Sequence, residues 1–332
     1  MRLGIAIEET WSFFNEIYTE LAEHHQTSLF KTKSVNLPFF SERINRHISQ
    51  SDWTKFLREN DVVFFEWASA LLSYATHQRK TCGVVTRLHR YEMYHWANRI
   101  DWNLVDRVIL VSKAKQREFG ERFPQQIEKT IVIPEAISVE KFHPSLKSFT
   151  GDIGILCHLT PRKRVYETIL AFYELIQEED RFHLHIAGGE HELHGDYYRA
   201  LQTIVSELGL QSKITFYGNI KNPEAWYQNI DIFLSNSYSE GLQLAPMEAM
   251  ASGCFVLSHH WEGADELLPN ENLFYTDTEL ITKILNYCYA SKNKKEETRL
   301  MLRQIVVKNF NIDQIKSQIR LLTEDVAQNY TA

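Results

Sequence analysis

Two glutamates, Glu240 and Glu248, stand eight positions apart in EGLQLAPMEAMASGC, residues 240–254. The stretch follows DIFLSNS, which reads as a strand, and PMEAMA begins a helix with Pro246 suited to its first turn. Glu240 therefore falls in a strand-to-helix loop and Glu248 just inside the helix. The amides of residues 241–243 are candidate free donors near the helix N-terminus, a place that binds anions, phosphate above all. Gly241 permits a backbone conformation that other residues resist and lets a ligand come close. A carboxylate beside a phosphate site makes sense where it grips hydroxyls, and one carboxylate accepts two at once from a ribose diol. One carboxylate on a ribose, one near a sugar and amides on a diphosphate together describe a nucleotide-sugar site. The plainer alternative is a first-turn glutamate favoured by the helix dipole, a contribution of about 0.3–1 kcal/mol.

A basic run, Arg162, Lys163 and Arg164, lies between a predicted strand and a predicted helix. Such runs are commonly solvated turns. This one sits at the end of its strand where open α/β sheets take ligands. His89, in TRLHRYE, lies just past another predicted strand. A lone histidine is more often a packing residue, and its placement at a strand end is what makes it a catalytic candidate.

The elements that must position these residues alternate along the chain. RLGIAI (2–7), TSLFK (27–31), DVVFFEW (61–67), CGVVTRL (82–88), DRVILVS (106–112) and KTIVIP (129–134) read as strands, with helix-period segments between most of them. The pattern breaks over 134–151, where two prolines and little periodicity mark a linker. It restarts with DIGILCHL (152–159), RFHLHIAGG (181–189), KITFYGN (213–219), DIFLSNS (231–237) and CFVLSHH (254–260). The tail, with apolar residues at 312, 315, 319, 322 and 326, reads as one helix. The fold class expected is α/β: two doubly wound, Rossmann-like domains, 1–147 and 148–311, with helix 312–330 able to pack back on the first. The cleft between two such domains is the natural place for an active site.

Bulk properties fit this picture. A chain of 332 residues suits two cores, and 44% hydrophobic with 24% charged residues is ordinary for a globular protein. A net charge of -7 gives no basic field to draw the chain to nucleic acid. Cys82, Cys157, Cys254 and Cys288 form no CxxC pair, so packed, reduced thiols in a cytoplasmic protein are expected. No apolar run is long enough to cross a bilayer, and MRLGIAIEETW lacks the pattern of a signal peptide. Peripheral contact with a membrane stays open, as does the oligomeric state.

SNSYSEGLQLAPMEAMASG resembles the E-x7-E signature of the retaining GT-B glycosyltransferases, family 4 in particular. CHLTPRKRV, HLHIAGG, ITFYGN and DIFLSNSYSEG are similar, in order, to that family's successive second-domain segments, and VDRVILVSKAKQREF and IVIPEAISVEKFHP to segments running into its linker. The resemblance implies a nucleoside-diphosphate sugar as co-substrate, no further cofactor and no metal. It implies that Glu248 holds the donor's ribose, and that Glu240, Gly241, Leu242 and Gln243 surround the sugar and diphosphate. Lys163, helped by Arg162, would neutralise the leaving diphosphate; Ile220 would lie near the base; His89 would stand near the transferred sugar. The acceptor would be a glycan, a lipid-linked sugar or a protein. Two positions depart from the family pattern: Glu9, Thr10 and Trp11 replace a glycine-rich loop after the first strand, and His158 replaces an arginine.

Rival chemistries lack their residues. There is no GxGxxG after the first strand and no GxSxG. HLH at 183 and HELH at 191 are not HExxH, and no DxD-like aspartate pair offers a metal site. A non-catalytic nucleotide-sugar-binding protein is the remaining rival. Trp11, Phe13, Phe14, Trp67, Tyr91, Tyr94 and Trp96 make the first domain aromatic, as core or as platforms for a glycan.

Overall fold

A computed structural model describes residues 1–12, 14–31, 41–145 and 147–331, with backbone alone for 41–49 and 331. Phe13, one of the aromatic candidates, lies outside the described residues. The chain divides into two compact units, Met1–Glu135 with Ile312–Ala332, and Ala136–Asn311.

The first unit holds β1 (Arg2–Ala6), β2 (Gln26–Leu29), β3 (Val62–Glu66), β4 (Gly83–Leu88), β5 (Arg107–Leu110) and β6 (Thr130–Val132). They form one sheet in the order β2-β1-β3-β4-β5-β6, every neighbour parallel. Its helices are α1 (Asn15–His24), α2 (Ser41–Glu59), α3 (Ala70–Ala75), α4 (Arg90–His95) and α5 (Lys113–Arg122). VVFFE and GVVTRL are buried at every position, as parallel strands covered on both faces must be.

The second unit repeats the plan with β7 (Asp152–Leu156), β8 (His183–Ala187), β9 (Ile214–Gly218), β10 (Ile232–Ser235), β11 (Phe255–His259) and β12 (Leu273–Phe274). Here the order is β12-β11-β10-β7-β8-β9, again parallel throughout. Around this sheet run α6 (Val165–Glu178), α7 (Gly195–Glu207), α8 (Pro223–Tyr227), α9 (Leu244–Ala251), α10 (Asp277–Tyr289) and α11 (Lys292–Asn309). The last helix, α12 (Ile312–Thr331), belongs to the first unit and packs on α1, β3 and β4.

The boundary differs from the 147/148 division read from the sequence. Residues 136–145 pack with the second unit. Ile137, Val139 and Phe142 are buried in its core, the Ile137 N–H donates to the Phe310 carbonyl at 3.0 Å, and the Ser145 hydroxyl donates to the Gln228 carbonyl at 2.8 Å. Prolines at 134 and 144 remove periodicity from the whole stretch, so local pattern could not tell which core the extended chain would join. The two-residue strand β12 was also absent from that reading.

In each sheet strand order reverses once, between β1 and β3 in the first unit and between β7 and β10 in the second. At such a switch point the loops leaving the two strands part in opposite directions and open a crevice at the carboxyl ends. The loops after β1, β3, β7 and β10 are thus the places to look for a ligand.

Candidate functional site

In the second unit the loops after β7 and β10 meet at the basic run. Pro161–Lys163 make one 3-10 turn, and Arg164 closes it with φ 51°, a left-handed conformation uncommon for a residue with a side chain. That turn aims Arg162 and Lys163 at one carboxylate. Lys163 Nζ donates to Glu240 Oε1 at 2.7 Å, and Arg162 Nη1 donates to the same oxygen and, at 2.7 Å, to the Ser239 carbonyl. Glu240 is buried. Burial alone would raise its pKa, but Lys163 and Arg162 hold the carboxyl below its ordinary value, so it is ionised at neutral pH. Two cations share one anion, which leaves net positive charge in the loop.

That surplus lies beside the start of α9. Gln243 is its N-cap residue, and the N–H groups of Gly241, Leu242 and Gln243 have no acceptor among the described residues. Gly241 does not have a positive φ; the left-handed residue of the site is Arg164. The Gln243 side chain faces inward, its Oε1 accepting from the Ser235 hydroxyl at 2.6 Å and its Nε2 donating to Ser237 Oγ at 3.3 Å. Asn236 Nδ2 donates to Thr168 Oγ1 at 3.0 Å and ties the β10 loop to α6. Leu242 and Ile220 are partly buried against the unit's core, Ile220 in the loop between β9 and α8. His158 is exposed in the loop after β7, its ring 6.3 Å from that of His191. Desolvation, then the charges of Lys163, His191 and Arg162, push its pKa down.

Glu248 lies one turn into α9, with its Oε2 3.0 Å from the Tyr227 hydroxyl. The same hydroxyl is 3.1 Å from the Ala245 carbonyl. One phenol proton cannot serve both acceptors, whereas a protonated Glu248 can donate to Tyr227 while Tyr227 donates to Ala245. Burial pushes the Glu248 pKa up to about 7, against the Tyr227 hydrogen bond and with help from the charge of Glu224. Ribose hydroxyls need the ionised form. Affinity for a nucleoside diphosphate should therefore rise with pH through that value, losing roughly ten-fold per pH unit below it if the carboxylate alone binds. Titrations of native chain and Glu248→Gln at pH 6 and 8 check this. Equal pH dependence in the two proteins would remove Glu248 from the ribose.

At the first unit's switch point the parallel register sets Glu66, the last residue of β3, beside Arg87. Arg87 Nη1 lies 3.4 Å from Glu66 Oε1, and Arg87 Nη2 donates to Glu135. His89 bridges the same carboxylates, with Nε2 3.1 Å from Glu66 Oε1 and Nδ1 2.7 Å from Glu135 Oε1. All four side chains are buried. Burial alone would lower the His89 pKa; Glu135 and Glu66 outweigh it and raise it to about 10. His89 sits at a strand end as the sequence suggested, but as an imidazolium with both nitrogens facing carboxylates, it is no base at neutral pH. Sequence reasoning missed Glu66, Arg87, Glu135 and Tyr227. Charged residues near the ends of largely apolar strands, Glu66 in VVFFE and Arg87 in GVVTRL, were the available signal for two of them.

The first histidine pair is engaged within the sheet. His183 Nε2 lies 2.9 Å from Thr215 Oγ1, and His185 bridges Asp152 and Tyr217 at 2.9 and 2.8 Å. Among the described residues the one gathering of metal-type ligands is Glu20, Glu23 and His24, in the second half of α1 and outside these loops.

Residues 150–288 match the family model described as glycosyl transferases group 1. The chain is 28% identical over 227 residues to an alpha-monoglucosyldiacylglycerol synthase of Streptococcus pneumoniae, covering 62% of this chain and 50% of that one. It thus spans half the length of that relative. It is 23% identical over 309 residues to the O-antigen biosynthesis glycosyltransferase WclY of Escherichia coli, covering 84% of each. Among solved structures, Anabaena HepE in complex with UDP superposes with a TM-score of 0.79 at 19% identity, covering 98% of this chain and 99% of that one. The chain as a whole has the GT-B fold, and its residues 150–288, which include the basic turn, Glu240 and Glu248, match the group 1 glycosyl transferase model.

Proposed function

We propose that this chain is a retaining, metal-independent glycosyltransferase of the family 4 type, moving a sugar from a nucleoside-diphosphate sugar to an acceptor hydroxyl. The observation that carries this is the pairing of Arg162 and Lys163 on a single carboxylate, Glu240, next to three unengaged amides at the start of α9. Net positive charge and free N–H donors at a sheet switch point suit a diphosphate. The relatives named above support glycosyl transfer, and UDP, bound by the Anabaena protein, is the first nucleotide to test.

In the reaction the bond from the anomeric carbon to the diphosphate oxygen breaks. A bond to the acceptor oxygen forms on the same face, and the acceptor's proton passes to the departing diphosphate. Lys163 has donors left after its bond to Glu240, and with the amides of 241–243 it stabilises the growing negative charge. Glu248 accepts from the ribose. Glu240 fixes both cations and keeps them from spreading into solvent. His89, an imidazolium, takes no proton, which favours the diphosphate as the base. Trp67, Tyr91 and their neighbours lie in the unit left for the acceptor. A lipid-linked acceptor would be met at a membrane surface, since no helix among the described residues is long and apolar enough to cross one.

Because side chains supply the cations, transfer from UDP-, GDP- or ADP-sugars should persist in EDTA. Abolition by EDTA with rescue by manganese or magnesium would overturn the metal-independent part. No turnover and no donor hydrolysis with any of the three would overturn the enzyme.

A further inference from the structure

Among the described residues, two that are not glycine have a positive φ: Arg164 at 51° and Trp67 at 73°. Each immediately follows, or closes the turn after, a strand at the reversal of its sheet. Arg164 shapes the diphosphate loop. Trp67, after β3, has no role in the chemistry derived so far. A bulky residue in this region of φ is strained, and strain of this kind persists where surrounding contacts hold it and clusters at ligand sites. The contacts that hold Trp67 include a hydrogen bond from its Nε1 to the Thr10 carbonyl at 3.2 Å and the His89 ring, 4.3 Å away and tilted 34°. The indole stays partly exposed above the buried ion cluster.

The loop that anchors it, after β1, carries polar groups with little to do inside the protein. Glu9 has a buried Oε2 with no hydrogen-bond partner among the described residues. The exposed Thr10 and Ser12 hydroxyls lie 2.8 Å apart and are both able to donate or accept. A pyranose has an apolar C–H face and a rim of hydroxyls. An indole face takes the first; a carboxylate and a pair of hydroxyls take the second.

We propose that Trp67, Glu9, Thr10 and Ser12 form a subsite for a neutral pyranose ring, so that the acceptor of the reaction is itself a glycoside. The word acceptor rests on the glycosyltransferase reading; the sugar subsite does not. A bare diacylglycerol or a serine side chain has no ring to stack on Trp67. A uronic acid would meet the Glu9 carboxylate with like charge.

Saturation-transfer NMR on the full chain, without nucleotide, tests the subsite. The probes are the methyl glycosides of glucose, mannose, galactose and N-acetylglucosamine, with methyl glucuronide and glycerol beside them. At least one neutral methyl pyranoside should be saturated through its ring C–H protons. Its binding should weaken about ten-fold or more in Trp67→Gly and in Glu9→Gln. Trp67→Gly removes the backbone strain along with the ring, and the thermal midpoint of each variant separates a loss of binding from a loss of fold. The proposal is overturned if no neutral pyranoside binds, if glycerol or the glucuronide binds as well, or if both variants bind as the native chain does. UDP binding in the same samples separates the two readings. Pyranoside binding without UDP binding would keep the subsite and remove glycosyl transfer; UDP binding without pyranoside binding would do the reverse.

Discussion

His89→Ala is expected to lower the stability of the protein by about 3–5 kcal/mol at neutral pH, the cost of removing one partner from a buried ion cluster. Two carboxylates, Glu66 and Glu135, and two cations, Arg87 and His89, balance in the native cluster. Without the imidazolium, Arg87 faces both carboxylates alone and a cavity opens under Trp67. His89→Gln, which keeps hydrogen-bond donors in place, should lose less. The pH dependence follows from the direction of the shift. The folded pKa, about 10, lies above the ordinary 6.5, so the stabilisation is complete below about 6.5 and is lost as pH rises through about 10. Denaturant titrations of native and His89→Gln chains between pH 6 and 10 should show a falling stability in the first and a flatter one in the second. An alanine variant as stable as the native chain, or the same slope in both proteins, would mean that the cluster is not charged as described.

Lys163→Ala should lower kcat at saturating donor by roughly one to two decades, the rate equivalent of one charge-assisted hydrogen bond of about 1.5–3 kcal/mol to the leaving diphosphate. Stability should change little by comparison, because Arg162 still holds the buried Glu240 carboxylate. Lys163→Arg should recover part of the rate if position and charge both count. The measurement is turnover with UDP-sugar, set beside the thermal midpoint of each variant. Full turnover in Lys163→Ala would make the residue a structural partner of Glu240. A large fall in midpoint with unchanged rate in the surviving folded protein would say the same.

Much of this was legible in the sequence, for physical reasons. Among the described residues eleven of the twelve strands are read from the sequence, most of them because a parallel sheet covered on both faces demands apolar runs, as in VVFFE and DIGIL. β12, two residues long, has no room for a pattern. The strand-to-helix loop carrying Glu240, and Glu248 inside α9, follow from the end of one period and the start of another. What remained hidden depends on contacts between distant segments. Glu66 meets Arg87 through the register of β3 and β4, and Glu135 joins them from far along the chain. The Tyr227 hydroxyl that confronts Glu248 comes from a helix earlier in the chain. The partnership of Arg162 and Lys163 on Glu240 arises because β7 and β10 are neighbours in space, a fact set by sheet order and not by spacing. A histidine at a strand end looks alike whether it moves protons or is locked between carboxylates; the structure places His89 in the second setting.

The central claim is that the switch point of the second unit holds a nucleoside diphosphate. Calorimetric titration of the native chain with UDP, GDP and ADP at pH 8, where Glu248 is ionised, tests it most directly. At least one of the three should bind at a single site with a Kd in the micromolar range, about -8 kcal/mol, and the corresponding nucleotide sugar should compete for it. No binding of any of the three to the folded chain would contradict the claim.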